Sequence, residues 1–222
     1  MLYIIVTGGP LPDQASDLIR NLSGSDKDSV IIGCDSAADF LAKFNIIPDL
    51  IVGDMDSVTD EGLEFIKTND IFVETYPVEK DWTDTEIALN KASDGDIVLV
   101  CPVSGRIDHV ISNIGMVLKM KSLGRNVFIS DGVTCCYPLF GEDKITADVT
   151  RYNGNAAVSL VPCDFSNPVK GVTTRGLYYA LENAELNSGS SYSFSNHPNP
   201  ESTDITVSIK EGLLLVVTTF AI

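Results

Sequence analysis

Two hydrophobic periodicities alternate along the first 130 residues of the chain. Short runs rich in valine and isoleucine are typical of strands buried in a parallel sheet, and segments with a helical apolar stripe separate them. The predicted strands span residues 3–6, 30–32, 50–52, 71–73, 97–101 and 127–129, and the predicted helices span residues 36–44, 60–67, 83–92 and 109–123. This alternation predicts an α/β fold, a doubly wound, mostly parallel sheet with helices on both faces.

From about residue 131 onward the pattern changes to short runs of alternating apolar and polar residues. The runs cover residues 158–161, 169–172, 192–194, 205–209 and 213–219, and Asn-Gly, Asn-Pro, Ser-Gly and Glu-Gly turn signals separate them. Such a pattern is typical of a small antiparallel β-sandwich. We therefore predict two domains, an α/β domain over residues 1–130 and a C-terminal all-β sandwich over residues 131–222.

The charge of the chain argues against two classes of partner. It carries 15 Lys and Arg against 31 Asp and Glu, which gives a net charge of −16. A surface this negative repels the phosphate backbone of nucleic acids and the headgroups of anionic membranes. The chain also has no stretch of the roughly 18 apolar residues that a membrane helix needs. We therefore expect neither nucleic acid nor membrane as a partner.

Cysteine usage and the N-terminal segment indicate the compartment. The five cysteines are scattered and show no Cys-x-x-Cys spacing, which favours buried free thiols over disulfides or a zinc site. The apolar residues 1–9 lack a basic flank and a small-residue cleavage site, which argues against a signal peptide. Both observations predict a cytoplasmic protein.

Six aspartates lie in segments that follow predicted strands. They are Asp35, Asp54, Asp56, Asp81, Asp84 and Asp108. Because the carboxyl ends of parallel strands share one edge of a sheet, where ligands bind, we expect these carboxylates to lie close together. Each of them taken alone is also typical of a helix start; Thr83 and Glu86, for example, form a capping box around Asp84.

Paired carboxylates are not explained by helix capping, which needs only one. Asp54 and Asp56 point the same way if the chain between them is extended, and like charges a few ångströms apart repel by roughly 1–4 kcal/mol. Divalent cations relieve such repulsion, and carboxylate ligands favour Mg²⁺ or Mn²⁺, which usually arrives with phosphates. Lys80 and Arg106 stand among the acids and suit phosphate binding. The sequence therefore predicts a metal–phosphate site.

Three motifs in a fixed order resemble the thiamine pyrophosphokinase family. They are Pro-Asp-Leu-Ile-Val-Gly-Asp-Met-Asp-Ser at residues 48–57, Lys-Asp-Trp-Thr-Asp at 80–84, and Gly-Arg-Ile-Asp-His at 105–109 followed by Asn113. Phe-Ser-Asn at 194–196 and Lys-Glu-Gly-Leu-Leu-Leu-Val at 210–216 are similar to the closing β module of that family. The resemblance thus spans nearly the whole chain.

The resemblance implies an assembly and a reaction. It implies an α/β domain that binds ATP and metal and carries catalysis, followed by a β-sandwich that binds thiamine and forms a homodimer with active sites at its interface. The implied reaction transfers the pyrophosphoryl group of ATP to the hydroxyl of thiamine, giving AMP and thiamine diphosphate, with Mg²⁺ as the cofactor.

Site residues follow from the resemblance position by position. The implied catalytic acids are Asp54, Asp56, Asp84 and Asp81, of which the first three are metal ligands. The implied ATP-site residues are Asp35, Lys80, Arg106, Asp108 and Asn113. Ser195 and Asn196 are implied to meet thiamine from the partner subunit, with Lys80 near the same pocket. Two stretches depart from the family, because Ser36-Ala37 stands where it often has Gly-Gly, and His197 stands where Glu is expected.

Two other functions are compatible with parts of the sequence. A metal-dependent glycosyltransferase also uses an Asp-x-Asp motif, but that function leaves the motifs at 80–84 and 105–109 unexplained. A non-catalytic module that binds Ca²⁺ or a nucleotide would use the same acids without turnover. Formation of AMP from ATP when thiamine is added separates both alternatives from the kinase.

Overall fold

The computed structural model describes residues 1–92 and 94–220 of the 222-residue chain. The chain divides into two compact units, the first comprising residues 1–116 and 125–133 and the second comprising residues 117–124 and those from 134 onward. Among the described residues, no helix is long and apolar enough to cross a membrane.

The first unit alternates strands and helices along the chain. Its strands are β1 (Leu2–Val6), β2 (Val30–Cys34), β3 (Leu50–Gly53), β4 (Val73–Thr75), β5 (Asp96–Val100) and β6 (Val127–Ser130). Its helices are α1 (Gln14–Ser25), α2 (Ala37–Lys43), α3 (Asp60–Thr68) and α4 (Asp84–Lys91). A fifth helix, α5 (Ile107–Ser122), begins in the first unit and ends in the second.

The strands of the first unit pair in parallel in the order β4-β3-β2-β1-β5-β6. The chain moves outward from β1 to β4 and then crosses to the opposite side of β1, so the direction of winding reverses between β1 and β5. Because crossovers between parallel strands are right-handed, this reversal puts α4 on the face opposite to α1, α2 and α3. The prediction of a doubly wound α/β fold is confirmed.

Successive residues of the strands face opposite sides of this sheet. Ile4 of β1 packs with Ile19 of α1 in a core that also contains α2 and α3. In β2, Gly33 faces α2, whereas the next residue, Cys34, faces α4 and has its thiol 3.7 Å from the backbone oxygen of Asp84. Neighbouring residues of one strand thus contact helices on different faces.

The second unit is built of antiparallel strands. They are β7 (Cys135–Phe140), β8 (Asp143–Asp148), β9 (Ala156–Pro162), β10 (Val169–Arg175), β11 (Ala184–Leu186), β12 (Asp204–Ile209) and β13 (Leu213–Phe220). Strands β7, β13 and β9 pair in one sheet, and β11, β10, β12 and β8 pair in the other. One apolar core joins the two sheets, which makes this unit a β-sandwich, as predicted.

Two elements of the first unit differ from the sequence prediction. Helix α1 is not predicted, because its Ser, Asn and Gly residues are weak helix formers; burial of Ala15 and Ile19 in the core stabilises it. The strand predicted at residues 71–73 lies at Val73–Thr75 instead. Ile71 lies just after α3 and packs against it, because its N–H donates to the oxygen of Ile66 and its side chain is buried in the same core.

The second unit contains one wrong prediction and several strands that the sequence pattern does not reveal. Residues 192–194 form no strand, since Tyr192 and Phe194 are exposed and the Phe194 N–H closes a turn onto the oxygen of Ser191. Strands β7, β8 and β11 are not predicted. In β8 and β11 the apolar alternation is weak, because both lie at the ends of their sheet, where charged side chains reach water.

The five cysteines, all among the described residues, are thiols outside any disulfide, as predicted. Four are buried, and Cys163 is partly buried. Burial raises the pKa of Cys101 to about 12 and that of Cys163 to about 11. These two thiols therefore stay protonated near neutral pH and act as small apolar side chains.

We expect Gly132→Ala to lower the free energy of unfolding by about 3 kcal/mol. Gly132 has φ +88°, and a Cβ there would lie 2.5 Å from backbone atoms of Gln14 and Ala15, so left-handed strain adds to a clash with backbone. Urea denaturation followed by circular dichroism measures the change. Gly105→Ala is the control, because it has φ +87° but meets no atom closer than 3.9 Å, and it should cost about 1 kcal/mol. Equal losses for both variants would contradict the assigned clash.

Candidate active site

A cleft of about 670 Å³ opens at the carboxyl edge of the parallel sheet in the first unit. Its walls come from the segments after β1, β2 and β5, from the start of α4 and from the first part of α5. They comprise residues 7–10, 34–36, 57, 78, 80, 82–85, 102, 104–106, 109, 110 and 113. The cleft therefore lies where winding reverses between β1 and β5. Open parallel sheets bind ligands at this position, and the volume suits a small organic ligand.

The chain leaving β2 and the chain leaving β3 approach each other closely at this edge. Asp35 has φ +46°, and its N–H donates to the oxygen of Val52 at 2.8 Å. Gly53 has φ +152°, and a Cβ there would lie 2.9 Å from the Cβ of Asp35. The missing side chain at residue 53 thus lets Asp35 stand directly beside the segment that carries Asp54.

A turn brings Asp54 and Asp56 together. The sequence pattern requires an extended segment for these two carboxylates to point the same way, but Met55 has φ +66° and the chain is bent. The backbone N–H of Asp56 donates to Oδ1 of Asp54 at 3.2 Å, which closes the bend. The two acids therefore converge through a turn rather than through strand geometry.

Three carboxylates form a compact cluster in consequence. One oxygen from each of Asp35, Asp54 and Asp56 lies within 4.8 Å of the other two. Oδ1 of Asp35 is buried and accepts no hydrogen bond from any residue that the structure describes. A buried, unpaired carboxylate oxygen next to two further carboxylates suits a hard divalent cation such as Mg²⁺.

The pKa values of these acids reflect their different surroundings. Burial raises the pKa of Asp35, and the nearby charges of Asp54 and Asp84 raise it further. The pKa of Asp54 is lowered, chiefly by the N–H of Asp56 and then by Lys80. Asp54 therefore stays ionised more firmly than Asp35.

Lys80 stands between two acids at the wall of the cleft. Its ammonium is 3.2 Å from Oδ2 of Asp54 and 3.2 Å from Oδ1 of Asp84, and it also donates to the oxygen of Pro77. Burial opposes its charge, but the two carboxylates outweigh burial and raise the pKa of Lys80. Asp84, a predicted metal ligand, thus pairs with Lys80, and Asp35 takes its place in the three-acid cluster.

The start of α4 explains the position of Asp84. The side chain of Thr83 accepts a hydrogen bond from the N–H of Glu86 and caps the helix, as the predicted capping box requires. Asp84 follows in the first turn and lines the cleft. Capping and cleft lining therefore coexist at this segment.

The remaining predicted residues of the first unit fall into two groups. Arg106 and Asn113 line the cleft, the former exposed and the latter buried. Asp108 lies beside the cleft and pairs with Arg106 through both guanidinium contacts, at 2.6 and 3.3 Å, which lowers the pKa of Asp108. Asp81 is exposed and is not among the residues that line the cleft, so its catalytic role stays a prediction.

Several residues that line the cleft have only weak signals of function in the sequence. The Gly-Gly pair after β1 lacks a known phosphate-loop spacing, yet both residues line the cleft, and any side chain at Gly8 would collide with Oγ of Ser36. Trp82 lines the cleft with an exposed ring, and His109 also reaches it. Trp82 lies between Asp81 and Asp84 of one motif in the sequence, and this position is the signal that could have identified it as a cleft residue. The structure shows that its ring is exposed.

In the second unit, Asn196 faces inward rather than toward solvent. Its side-chain oxygen accepts from the N–H groups of Tyr179 and His197 at 3.1 and 2.9 Å, and its amide nitrogen donates to the oxygen of Tyr179 at 2.8 Å. Ser195 is exposed, with φ +53°. The amide of Asn196 therefore fixes neighbouring backbone, and a direct contact of this amide with a ligand stays a prediction.

An aromatic cluster surrounds this buried amide. The ring of His197 stacks on Tyr178 at 4.7 Å, and Tyr179 meets both rings edge-on at 5.0 and 6.0 Å. Tyr178 and Tyr179 are more than half exposed. His197, which stands where the family resemblance leads one to expect Glu, thus takes part in an exposed aromatic surface.

Sequence models of one family match both parts of the chain. The model described as "Thiamin pyrophosphokinase, catalytic domain" matches residues 23–129, and the model described as "Thiamin pyrophosphokinase, vitamin B1 binding domain" matches residues 144–214. The first match includes the whole three-acid cluster together with Lys80 and Asp84.

Individual proteins are similar over the full length. The thiamine pyrophosphokinase of Bacillus subtilis (strain 168) is 28% identical over 217 residues, which cover 96% of each chain. A crystal structure of thiamine pyrophosphokinase from Bacillus subtilis superposes with a TM-score of 0.81 at 24% identity and covers both chains fully. A crystal structure of thiamin pyrophosphokinase from Geobacillus thermodenitrificans gives a TM-score of 0.75 at 28% identity and covers 99% of this chain and 97% of that one.

We expect Asn196→Ala to destabilise the protein by about 1–3 kcal/mol, because it leaves backbone groups of Tyr179 and His197 without their hydrogen-bond partner. Urea denaturation measures the loss. Ser195→Ala, one residue away and exposed, should change stability by less than about 0.5 kcal/mol. If the two variants are equally stable, the inward-facing amide does not hold this segment.

Proposed function

Because this chain belongs to the thiamin pyrophosphokinase family, we propose that it transfers the pyrophosphoryl group of ATP to the hydroxyl of thiamine, giving thiamine diphosphate and AMP. One observation carries the proposal. Asp35, Asp54 and Asp56 converge at the carboxyl ends of β2 and β3, inside the stretch that matches the catalytic domain of the family. Such a cluster suits a metal–nucleotide complex rather than a helix cap.

We propose that Asp35, Asp54 and Asp56 hold Mg²⁺ and that Asp84 supplies a further negative charge near them. The buried, unpaired oxygen of Asp35 supports this assignment, since a cation would satisfy it. A bound Mg²⁺ would neutralise phosphate charge and polarise the phosphoryl oxygens. Asp35 is thereby added to the predicted ligands Asp54 and Asp56, while metal binding by Asp84, which pairs with Lys80, stays a prediction.

ATP would lie in the cleft with its phosphates near the basic residues. The bare backbone of Gly8 and Gly9 leaves room for a phosphate to approach, and Lys80 and Arg106 supply positive charge. Asn113 lines the same cleft and Asp108 pairs with Arg106, and both would contact the nucleotide. The thiamine hydroxyl would attack the β-phosphorus in line, while the bond from that phosphorus to the oxygen shared with the α-phosphorus breaks and AMP departs with that oxygen.

The hydroxyl proton needs an acceptor as the new bond forms. Asp84 lines the cleft and is partly buried, so its carboxylate is suited to accept this proton. The exposed Asp81 is the remaining acid of the same motif. We assign the bulk of the rate enhancement to positioning and to neutralisation of charge, in which Lys80 and the acids act together.

Thiamine binding is proposed to involve the second unit, which matches the vitamin B1 binding domain. The thiazolium ring of thiamine is a flat cation, and the exposed rings of Tyr178 and Tyr179 next to Ser195 and Asn196 offer cation–π and stacking contacts. We further propose a cytoplasmic homodimer whose subunits share each active site, with residues 1–130 as the ATP and metal domain and residues 131–222 as the thiamine and dimerisation domain. Neither a glycosyltransferase nor a non-catalytic binding module is supported by the comparisons.

The reaction is tested by measuring AMP formation from ATP and Mg²⁺ with and without thiamine. We expect AMP to form only when thiamine is present and thiamine diphosphate to appear in equal amount. Equal AMP formation without thiamine would indicate a different acceptor, and absence of turnover by the folded protein would favour a binding module. Either result would overturn the proposed function.

Replacing single acids of the cluster tests the assigned site. We expect Asp35→Asn and Asp54→Asn each to lower kcat by about 10²-fold or more while the thermal stability stays near that of the parent protein, because a ligand charge is lost without loss of packing. Steady-state AMP formation and thermal denaturation provide the two measurements.

Glu79→Gln is the matched control for these variants, because Glu79 is an exposed carboxylate next to Lys80 and does not belong to the three-acid cluster. It should keep kcat within about twofold, as expected of a surface change. Near-parent activity in either aspartate variant would refute the metal assignment.

A further inference from the structure

Lys80 is a cation inside a group of four acids. Asp35 and Asp84 line the cleft, Asp54 and Asp56 cluster with Asp35, and the Lys80 ammonium bridges Asp54 and Asp84 at 3.2 Å each. Only 12% of the Lys80 side chain is exposed, so solvent screens these contacts little. The other cationic group at the cleft, Arg106, is paired with Asp108 and is largely exposed.

The ammonium and a metal ion compete for the same carboxylate. Oδ1 of Asp54 accepts the N–H of Asp56, and Oδ2 faces Lys80, so both oxygens of this proposed ligand already have partners. A divalent cation held by the cluster would therefore stand a few ångströms from the ammonium, and the two positive charges would repel. In the free protein, the positive charge of Lys80 lowers the repulsion between the acids. The same charge opposes the binding of a metal ion.

A phosphate group changes this balance. When a metal arrives with a triphosphate, the added negative charge exceeds that of the metal, and the ammonium gains an anionic partner in the cleft. The stem of lysine has four rotatable carbons, so the ammonium can leave Asp54 without movement of the backbone. Asp84 then loses its bridge to Asp54.

We propose that Lys80 is an exchangeable counter-ion, which bridges Asp54 and Asp84 in the free protein, opposes metal that arrives alone and moves to a phosphate when metal arrives with the nucleotide. This inference rests on the proposed function for the identity of the nucleotide. It makes Lys80 a positioning residue for the acids in one state and a phosphate ligand in the other. The free protein consequently binds divalent metal weakly and binds the metal–nucleotide complex well.

The test compares two affinities in one variant, Lys80→Met, which keeps the length of the side chain and removes its charge. Without nucleotide, Mn²⁺ should bind about tenfold tighter than to the parent protein, because the repelling charge is gone. With α,β-methylene-ATP, an analogue whose α–β bond is not cleaved, the Mn²⁺ complex should bind about tenfold more weakly, because the phosphate contact is lost. The electron paramagnetic resonance signal of free Mn²⁺ and titration calorimetry measure the two constants.

Two variants control for charge. Lys80→Arg keeps the positive charge and should leave Mn²⁺ affinity without nucleotide within about twofold of the parent. Lys43 at the end of α2 forms an exposed pair with Asp13, and Lys43→Met removes this positive charge. This variant should also leave the Mn²⁺ affinity unchanged within about twofold, which excludes an effect of net charge. A merely structural Lys80 would shift both affinities in the same direction or neither, and either result would overturn the proposal.

A second measurement on the parent protein serves if Lys80→Met does not fold. Acetylation of Lys80 by an N-hydroxysuccinimide ester, followed by peptide mass spectrometry, should rise on addition of Mn²⁺ and fall when α,β-methylene-ATP is added with it. Unchanged reactivity in the presence of Mn²⁺ would overturn the exchange. Because Mn²⁺ binding without nucleotide needs no turnover, these measurements decide the exchange even if the protein forms no AMP from thiamine.

Discussion

The reversal of winding between β1 and β5 is the constraint on which the site depends. Strands on either side of this point are followed by chain that leaves in opposite directions, so the carboxyl edge of the sheet opens into a cleft between the departing segments. The glycines after β1, the turn at Asp35 and the start of α4 all meet there. Residues that are up to about a hundred positions apart in the chain become neighbours through strand order alone.

Electrostatics then determine what such an edge must contain. Carboxylates that converge at the end of a buried sheet repel one another, and burial increases the cost, as the raised pKa of Asp35 shows. The structure offsets this cost in three ways, through the N–H of Asp56, through Lys80 and through exposure of the Asp56 carboxylate. Oδ1 of Asp35 and Oδ1 of Asp84 are both buried without a hydrogen-bond partner among the described residues, but the Asp84 oxygen has an ion pair with Lys80.

The sequence predicts the fold well where apolar periodicity reports burial directly. Strands β1, β2, β3 and β5 and helix α5 are found within a few residues of their predicted bounds, because each buries a regular apolar set. Helix α1 escapes prediction, since tertiary burial of two small or branched residues outweighs weak local propensity. The strand expected at residues 192–194 fails for the opposite reason, because alternating aromatic residues there lie exposed in a turn.

The site, like the fold, is only partly predicted by the sequence. The sequence predicts which acids gather, because strand ends share an edge, but it does not predict which of them touch. Asp35 lies in the cluster because Gly53 has no side chain, and Asp84 lies outside it because its carboxylate pairs with Lys80. Both positions depend on how closely the backbone segments approach and how far the side chains reach, which the spacing of residues in the sequence does not determine. The same holds for Asn196, whose polarity suggests a ligand contact while its surroundings turn the amide inward. The inward-facing amide also has a thermodynamic consequence, because its hydrogen bonds already order the backbone of Tyr179 and His197. A ligand that bound to these rings would therefore lose little conformational entropy of the loop, and its affinity would depend mainly on its contacts with the rings.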